Sequence, residues 1–166
     1  MKLHFLSRLF VILAISACTV SAVSITAHAV QADGQTNVKK VYTIQGKWKT
    51  LDPQRSILKD KNISSNIRTI LGSDFKLFTD AIKVVDTTNI AVDSSSYTAY
   101  GTSKGLPELR GYISVQKSGE IYIAIITVDS VYYYSNDEYF KTNAPAQVDR
   151  WIEKYGLGRN NVSKSK

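Results

Sequence analysis

The chain has 166 residues, with 21 Lys and Arg against 14 Asp and Glu, for a formal net charge of +7. Its single cysteine, Cys18, and its two histidines, His4 and His28, all lie in the first 29 residues. Residues 30–166 therefore offer no disulfide, no thiolate or imidazole catalyst and none of the usual nitrogen and sulfur ligands of zinc. Catalysis by a Ser-His or Cys-His pair is excluded for that part of the chain.

The first 29 residues have the features of an export signal. Lys2 and Arg8 precede an apolar stretch over residues 9–23, and Ala27-His28-Ala29 matches a signal-peptidase site. We predict cleavage after this site and localisation in the periplasm or outside the cell. The mature chain would then have a net charge of +5, because two basic residues are lost. The sequence around Cys18 also resembles a lipobox, so lipidation of Cys18 and association with the outer membrane is the alternative.

Segments 30–40 and 158–166 lack hydrophobic periodicity, and we predict a flexible lead-in and a flexible basic tail. One domain remains, over residues 41–157, and its first half carries helix signals. Asp52-Pro53 predicts a short turn, and Ser64 or Ser65 can cap a helix that ends at Gly72. Ser73-Asp74 can cap a further helical turn, whose apolar face holds Phe75, Phe78 and Ile82.

The second half of the domain changes to strand patterns. Lys117-Ser118-Gly119 and Asp129-Ser130 predict turns between neighbouring strands. The run over residues 121–126 is apolar on both faces, which is typical of a central strand covered on both sides. The segments with strand patterns are Ile82–Val85, Tyr97–Tyr100, Gly111–Gln116, Glu120–Val128 and Val131–Tyr134.

A helix closes the predicted domain. Asn143 can cap it, Pro145 falls in its first turn and Gly156 ends it. Its apolar stripe, which we expect to pack on the sheet, consists of Val148, Trp151, Ile152 and Tyr155. The sequence therefore predicts an α+β fold with short N-terminal helices, an antiparallel sheet of about four strands and a C-terminal helix packed on the sheet.

The sequence offers few candidate residues for catalysis. The glycines are too loosely spaced for a phosphate loop and the acids lack the spacing of a calcium loop, so we expect no metal and no cofactor. Nucleic acid is not an expected partner, because the lysines are scattered and arginines are few. A hydrolase that uses two carboxylates needs no histidine and stays an alternative. Its candidate acids are Asp93, Glu108, Glu120, Asp137 and Glu138.

The polar segment Tyr97–Arg110 is the strongest candidate for a binding site. It lies between two predicted strands and contains Gly101, Gly105 and Pro107. Loops on a rigid sheet commonly carry function, and aromatic and arginine side chains are common binding anchors. The candidate binding residues are Tyr97, Tyr100, Thr102, Ser103, Lys104, Pro107, Glu108 and Arg110.

The motifs between Ile70 and Tyr155 follow a recognisable order. They are Leu71-Gly72-x-Asp74-Phe75-x-x-Phe78, the hairpin GYISV…GEIYIAII, the run VYYYSN and a helix with Pro145 and Trp151. This order resembles small exported bacterial proteins similar to the periplasmic inhibitors of vertebrate-type lysozyme, the Ivy-like family. The resemblance implies an α+β fold and an exported location.

The resemblance does not extend to the inhibitory residues of that family. There, a loop closed by two cysteines carries a Cys-x-Pro-His-x-Cys-like sequence and inserts into the lysozyme cleft. The corresponding segment here, Tyr100–Glu108, has no Cys or His and keeps only Pro107-Glu108. The family's inhibitory residues therefore have no counterparts in this chain.

We expect an exported binding protein that is not an enzyme and that contacts a protein partner through the loop Tyr100–Arg110. The partner would be a lysozyme-like or other envelope-targeting hydrolase, or a toxin, so that the chain acts as an inhibitor or immunity protein. A basic chain associates slowly with a basic lysozyme, which favours a less basic target. The alternatives are a carboxylate-based cell-wall glycan hydrolase and a structural adaptor of the envelope, held by its basic surface or by a lipid on Cys18.

Overall fold

A computed structural model describes residues 40–156 and 162–164, which form three α-helices and six strands. Residues 1–39, with the predicted export signal, Cys18 and nearly all of the predicted lead-in, lie outside the described residues. The helices are α1 (Lys61–Leu71), α2 (Phe75–Ala81) and α3 (Ala146–Tyr155), and short 3₁₀ helices cover Gly46–Thr50, Gly72–Asp74 and Thr87–Asn89. The strands are β1 (Ile90–Val92), β2 (Ser96–Ser103), β3 (Leu106–Gln116), β4 (Ile121–Ile126), β5 (Val131–Ser135) and β6 (Val162–Lys164). None of these helices is long and apolar enough to cross a membrane.

The strands form one sheet in which their spatial order follows their order in the chain. Neighbours from β1 to β5 are antiparallel, and β6 is parallel to β5. The predicted α+β fold, with an antiparallel sheet and a C-terminal helix, is confirmed, whereas the predicted number of about four strands is too low. The prediction lacked β1 and β6. β6 lies in the segment predicted as a flexible tail, where its backbone pairs with the open edge of β5.

Helix α1 begins one turn earlier than predicted, because Asp60 caps it rather than a serine at 64 or 65. The Asp60 carboxylate accepts hydrogen bonds from the backbone N–H groups of Asn62 at 3.0 Å and Ile63 at 3.1 Å. Ile63 lies four residues before Ile67, and both side chains are fully buried. The apolar face of the helix thus extends one turn further back. Gly72 ends α1 with a φ of +52°, in agreement with the prediction.

Helix α3 begins after Pro145, and the predicted cap by Asn143 is wrong. Pro145 holds the N-cap position without a side-chain hydrogen bond, and its fixed φ suits the entry into a helix. The helix ends at Gly156, whose N–H donates to the carbonyl oxygen of Ile152 at 2.6 Å. The predicted stripe packs on the sheet as expected, since Val148 and Trp151 are buried there.

The sheet buries apolar side chains on both of its faces. We call the face covered by α1 and α2 the α1–α2 face, and the opposite one, covered by α3, the α3 face. All six residues of β4 are buried, which confirms the prediction of a central strand. The core of the α1–α2 face includes Ile67, Phe78, Tyr97, Ile113 and Ile123. The core of the α3 face includes Tyr112, Tyr122, Tyr133, Val148 and Trp151.

The predicted strand Ile82–Val85 does not form. The backbone N–H of Ile82 donates to Phe78 at 3.1 Å and so completes the last turn of α2, which leaves little chain for a strand. Only Val84 pairs with the sheet, as a single bridge to Thr102 of β2.

This segment approaches the β2–β3 hairpin very closely, at the pair Gly101 and Gly111. A Cβ on Gly101 would lie 2.5 Å from the carbonyl oxygen of Val84. A Cβ on Gly111 would lie 2.5 Å from Cγ2 of Ile82. The two glycines therefore allow the segment after α2 to cross the base of the hairpin.

Candidate functional site

The segment Tyr100–Arg110, predicted as a loop, is part of a β-hairpin, and the predicted strand Tyr97–Tyr100 lies within its first strand. β2 and β3 pair from Ser96 with Gln116 to Ser103 with Leu106, and Lys104-Gly105 forms the turn. Gly105 has a φ of +85°, which glycine adopts without a steric penalty. The candidate contact surface is therefore a pair of strands with a tight turn, and its shape is set by backbone hydrogen bonds.

The end of this hairpin projects beyond the rest of the sheet. The last pair between β3 and β4 joins Arg110 to Ile126, so residues 103–109, which we call the hairpin tip, extend past β4. The register jumps from the pair Thr102 with Arg110 to the pair Ser103 with Leu106, so residues 107–109 form a bulge. Residues 104–108 are exposed, and Leu106 keeps 56% of its surface accessible.

The eight predicted binding residues fall into three groups. Tyr97 is fully buried on the α1–α2 face, where its ring meets that of Trp48 edge-on at 6.0 Å, so its assignment as a binding residue is wrong. The residue faces the core because side chains alternate between the two faces along β2. Four residues lie on the hairpin tip, namely Ser103, Lys104, Pro107 and Glu108. The remaining three, at the base of the tip, are Tyr100, Thr102 and Arg110.

A pocket of about 180 Å³ opens at the base of the hairpin, and we call it the aromatic pocket. β2 and β3, the 3₁₀ helix Thr87–Asn89 and the end of α3 surround it. It is lined by Val84, Asp86, Asn89, Tyr100, Gly101, Thr102, Arg110, Trp151 and Tyr155. The structure thus joins three of the predicted binding residues to two residues that were predicted only as core, Trp151 and Tyr155.

Three aromatic rings form one side of the aromatic pocket. The ring centroid of Tyr155 lies 5.9 Å from that of Tyr100 and 5.6 Å from that of Trp151. Tyr112 supports Trp151 from the sheet at 5.4 Å. Trp151 is only 6% exposed, and its Nε1 is buried without a hydrogen-bond partner in the part of the chain that the structure describes. Contacts between these rings hold the wall in a defined position.

Two cations flank the ring of Tyr155. The Cζ atom of Arg110 lies 5.1 Å from the ring centroid, and Nζ of Lys154 lies 4.9 Å from it, both within the range of cation–π attraction. The Lys154 ammonium lowers the pKa of Tyr155, chiefly by hydrogen bonding to the phenol, and Tyr100 and Arg110 add to this effect. Burial and the neighbouring Tyr155 raise the pKa of Tyr100. This side of the pocket is therefore electropositive.

A larger groove, of about 590 Å³, lies between the turn at residues 53–59, α1 and α2. Its charged side chains have local partners. The Arg68 guanidinium lies 3.8 Å from the ring centroid of Phe75, and Lys76 donates a hydrogen bond of 2.7 Å to Asp80. We place the candidate site at the hairpin instead, because three of the predicted binding residues line the pocket there.

The acids considered for a carboxylate-based hydrolase make local contacts or stand exposed. Asp93 accepts hydrogen bonds from Ser95 and Ser96. Asp137 accepts one of 2.9 Å from the Tyr122 hydroxyl. Glu120 accepts one from Ser118, Glu138 accepts one from Lys141, and Glu108 is exposed on the tip. Among the described residues, no group of three or more His, Cys, Asp or Glu could hold a metal ion.

Sequence reasoning missed six of the nine lining residues of the aromatic pocket, among them Trp151, Tyr155, Asp86 and Asn89. Trp151 and Tyr155 were assigned to the helix stripe, and they do pack there, but the end of the stripe also faces the pocket. The sequence signal for this was Tyr155 itself, because a tyrosine at the end of an apolar stripe is typical of a side chain that is only partly buried. Asp86 and Asn89 come from a connection without any local pattern that marks a site. Comparisons of the chain with models of known families, with curated proteins and with solved structures find no match.

Proposed function

We propose that the protein is an exported binding protein whose hairpin tip enters the cleft of a lysozyme-like or other envelope-targeting hydrolase, or of a toxin. It would act as an inhibitor or immunity protein. The observation that carries this proposal is the projection of residues 103–109 past β4, with residues 104–108 exposed. Substrate clefts are concave, so a narrow convex element has the shape that can enter one.

The base of the hairpin is fixed on both sides. β3 pairs with β4, and β2 exchanges two backbone hydrogen bonds of 2.9 Å with Val84. A binding element that is already ordered loses less conformational freedom on association. In the Ivy-like family, which the sequence resembles, two cysteines close the corresponding loop. In this chain, strand pairing supplies the stiffness.

The charges favour a target that is not strongly basic. The hairpin tip carries Lys104 and Glu108, and Arg110 stands at its base. With the predicted net charge of +5 after export, long-range repulsion would slow the association with a basic lysozyme. We therefore propose a neutral or acidic enzyme as the partner.

The tip can be removed without removing any residue that lines the aromatic pocket. The backbone N–H and C=O groups of Thr102 both bond to Val84, so they point away from β3. Because these groups alternate in direction along a strand, the N–H and C=O groups of Ser103 point towards β3. Pairing Ser103 with Leu109 would continue the register of Thr102 with Arg110. Replacing residues 104–108 by Asn-Gly, the preferred two-residue turn, therefore gives a regular hairpin. We call this variant the trimmed hairpin.

The test measures cell-wall turnover by a panel of purified peptidoglycan hydrolases, with and without the protein. We expect stoichiometric inhibition of at least one enzyme. The affinity for that enzyme should fall about 100-fold in the trimmed hairpin and about tenfold in Leu106→Ser. Val41→Ser is the matched control. Val41 is 72% exposed and precedes Tyr42, which bonds to the turn at Lys117, at the opposite end of the sheet.

Two results would count against the proposal. Equal inhibition by the parent and the trimmed hairpin would remove the tip from the contact surface. Turnover of purified peptidoglycan by the protein alone would favour the carboxylate-based hydrolase. Mass spectrometry of the mature N-terminus separates a soluble exported form from the lipid-anchored adaptor, because only the latter carries a lipid on Cys18.

A further inference from the structure

We infer that the aromatic pocket binds one sugar ring that carries a carboxylate, such as a unit of an acidic glycan. This inference goes beyond the proposed role of the hairpin tip, because the pocket lies on the α3 face at the base of the hairpin. Its first support is size. A volume of about 180 Å³ falls below the range of about 300–1,000 Å³ of pockets for drug-sized ligands, so the pocket suits a ligand of about one ring.

The second support is the wall of aromatic rings. Tyr100, Trp151 and Tyr155 offer flat apolar surfaces, and the C–H groups of a sugar ring can lie against them. The rings pack on one another, so the wall is formed before a ligand arrives.

The third support is the arrangement of charged groups. No ion pair is recorded for Arg110 within the described residues, and its planar guanidinium matches a carboxylate in geometry and charge. Lys154 does not line the pocket, but its Nζ lies 4.9 Å from the ring centroid of Tyr155, which does. The predicted positive charge of the mature chain also favours an anionic ligand.

The hydroxyl groups of a sugar have partners across the pocket. Asp86 uses its Oδ1 to accept hydrogen bonds from the backbone N–H and the hydroxyl of Thr88, at 2.8 and 2.9 Å. Its Oδ2 has no hydrogen bond recorded in the described region and can accept one from a ligand hydroxyl. Asn89 and Thr102 add groups that both donate and accept. A ligand with a carboxylate at one end, hydroxyls at the other and an apolar ring face satisfies all three parts of the pocket.

The test is a titration of the purified protein with D-glucuronate, D-glucose and acetate, followed by NMR of the tryptophan indole N–H groups. The chain has two tryptophans, and they lie on opposite faces, so Trp48 serves as an internal reference for Trp151. We expect glucuronate to shift the Trp151 signal with a Kd on the order of 1 mM and to leave Trp48 unchanged. Glucose, which lacks the carboxylate, and acetate, which lacks the ring, should each bind at least about tenfold more weakly.

Variants separate the pocket from the tip. Arg110→Gln should weaken glucuronate binding at least about tenfold. Lys104→Gln, which removes a cation from the tip, should leave it unchanged, as should the trimmed hairpin. An unchanged Trp48 signal and melting temperature show that a variant is folded.

The inference is wrong if Trp151 shows no saturable shift with glucuronate, or if glucose or acetate gives an equal response. Unchanged glucuronate binding in Arg110→Gln would also overturn it. The glucose and acetate comparisons use the parent protein and so do not depend on the folding of any variant. Because the trimmed hairpin keeps the pocket, a failure of the sugar inference and a failure of the proposed inhibition give different results.

Discussion

On the α1–α2 face, two helices cover the side chains of the sheet, and half of the buried core residues are isoleucines, although Tyr42, Trp48, Tyr97 and Tyr134 also belong to this core. On the α3 face, a single ten-residue helix covers a row of tyrosines, and the aromatic pocket opens at its C-terminal end. Aliphatic side chains pack without any polar atom to satisfy. Tyr and Trp bring a polar atom into each contact, and these atoms need a partner when they are buried.

Because of this difference, we expect the two faces to contribute differently to stability and to ligand binding. The α1–α2 face has large apolar side chains with no exposed surface, and this burial is the main source of folding free energy. The α3 face contains the two buried polar side-chain atoms without a partner found in the described region, on Tyr133 and Trp151, and Trp151 also lines the aromatic pocket. We therefore place stability mainly on one face and recognition on the other.

The largest expected effect is on the free energy of unfolding, when two helix isoleucines, one from each face, are each replaced by alanine. Ile67 of α1 has no exposed surface, whereas Ile152 of α3 is half-buried. We expect Ile67→Ala to lower the free energy of unfolding by about 2–5 kcal/mol, and Ile152→Ala by about 1–2 kcal/mol, since less apolar area is involved. Urea unfolding of both variants measures the difference, and equal losses would contradict the division between the faces.

The next effect concerns the close approach at the base of the hairpin. A methyl group on Gly101 would lie 2.5 Å from the carbonyl oxygen of Val84, and a backbone atom has little freedom to move aside. We expect Gly101→Ala to cost about 1–3 kcal/mol in urea unfolding. Gly46→Ala is the control, because a methyl group there meets nothing within 4 Å, and it should stay within about 0.5 kcal/mol of the parent. A cost as small as that of the control would show that the segment 82–85 is not held tightly against the hairpin.

Gly101 illustrates which features of the fold cannot be predicted from local sequence patterns. The continuous apolar run of β4 and the stripe of α3 are local patterns, and both predictions are confirmed. Gly101 and Pro107 each indicate a loop when they are interpreted locally, so the hairpin was predicted as a loop. The reason for Gly101 is a contact with Val84, seventeen residues away, and only the tertiary structure shows it.

The candidate site, like the hairpin, could be predicted from the sequence only in part. Tyr100, Thr102 and Arg110 stood out by their residue types, and they do line one pocket. Other lining residues come from α3, more than forty residues later, and from Asp86 and Asn89 in a short 3₁₀ connection. No periodicity links these segments, because their proximity depends on the register of β2 and β3 and on the placement of α3.

A fully buried tyrosine and a half-buried one should differ in alkaline solution, and burial raises the pKa of tyrosines on both faces. Burial on the α1–α2 face raises the pKa of Tyr97 to about 12, whereas the pKa of Tyr155 is lowered. A raised pKa in the folded state contributes stability that is complete below about pH 10 and is lost as the pH rises to about 12. Tyr97→Phe should therefore reduce the loss of stability between these pH values, and Tyr155→Phe should not.

The cost of Tyr97→Phe at neutral pH should be about 1 kcal/mol, because the hydrogen bond of 3.2 Å between Ser56 and the Tyr97 hydroxyl is lost. Urea unfolding at several pH values measures both effects. If the parent and Tyr97→Phe lose stability in parallel above pH 10, the burial of this phenol does not govern the alkaline limb.

The smallest expected effect lies at the end of β2 that is remote from the hairpin tip. The carboxylate of Asp93 accepts hydrogen bonds from Ser95 and Ser96, from both side chains and both backbone N–H groups. The side chain of Ser95 is the main cause that lowers the pKa of Asp93 to about 2, and the other three bonds add to it. A lowered pKa contributes stability that is complete above about pH 4 and is lost as the pH falls to about 2.

Asp93→Asn should therefore flatten the acid limb of stability between about pH 4 and pH 2 and slightly lower stability at neutral pH. Asp129→Asn, in the turn between β4 and β5, is the matched control because Asp129 is also exposed in a turn. Binding at the aromatic pocket should be the same in Asp93→Asn as in the parent, since the β1–β2 turn and the pocket lie at opposite ends of β2. An altered response of Trp151 to glucuronate in this variant would show that the two ends of the strand are coupled and that the hairpin base is less rigid than its pairing indicates.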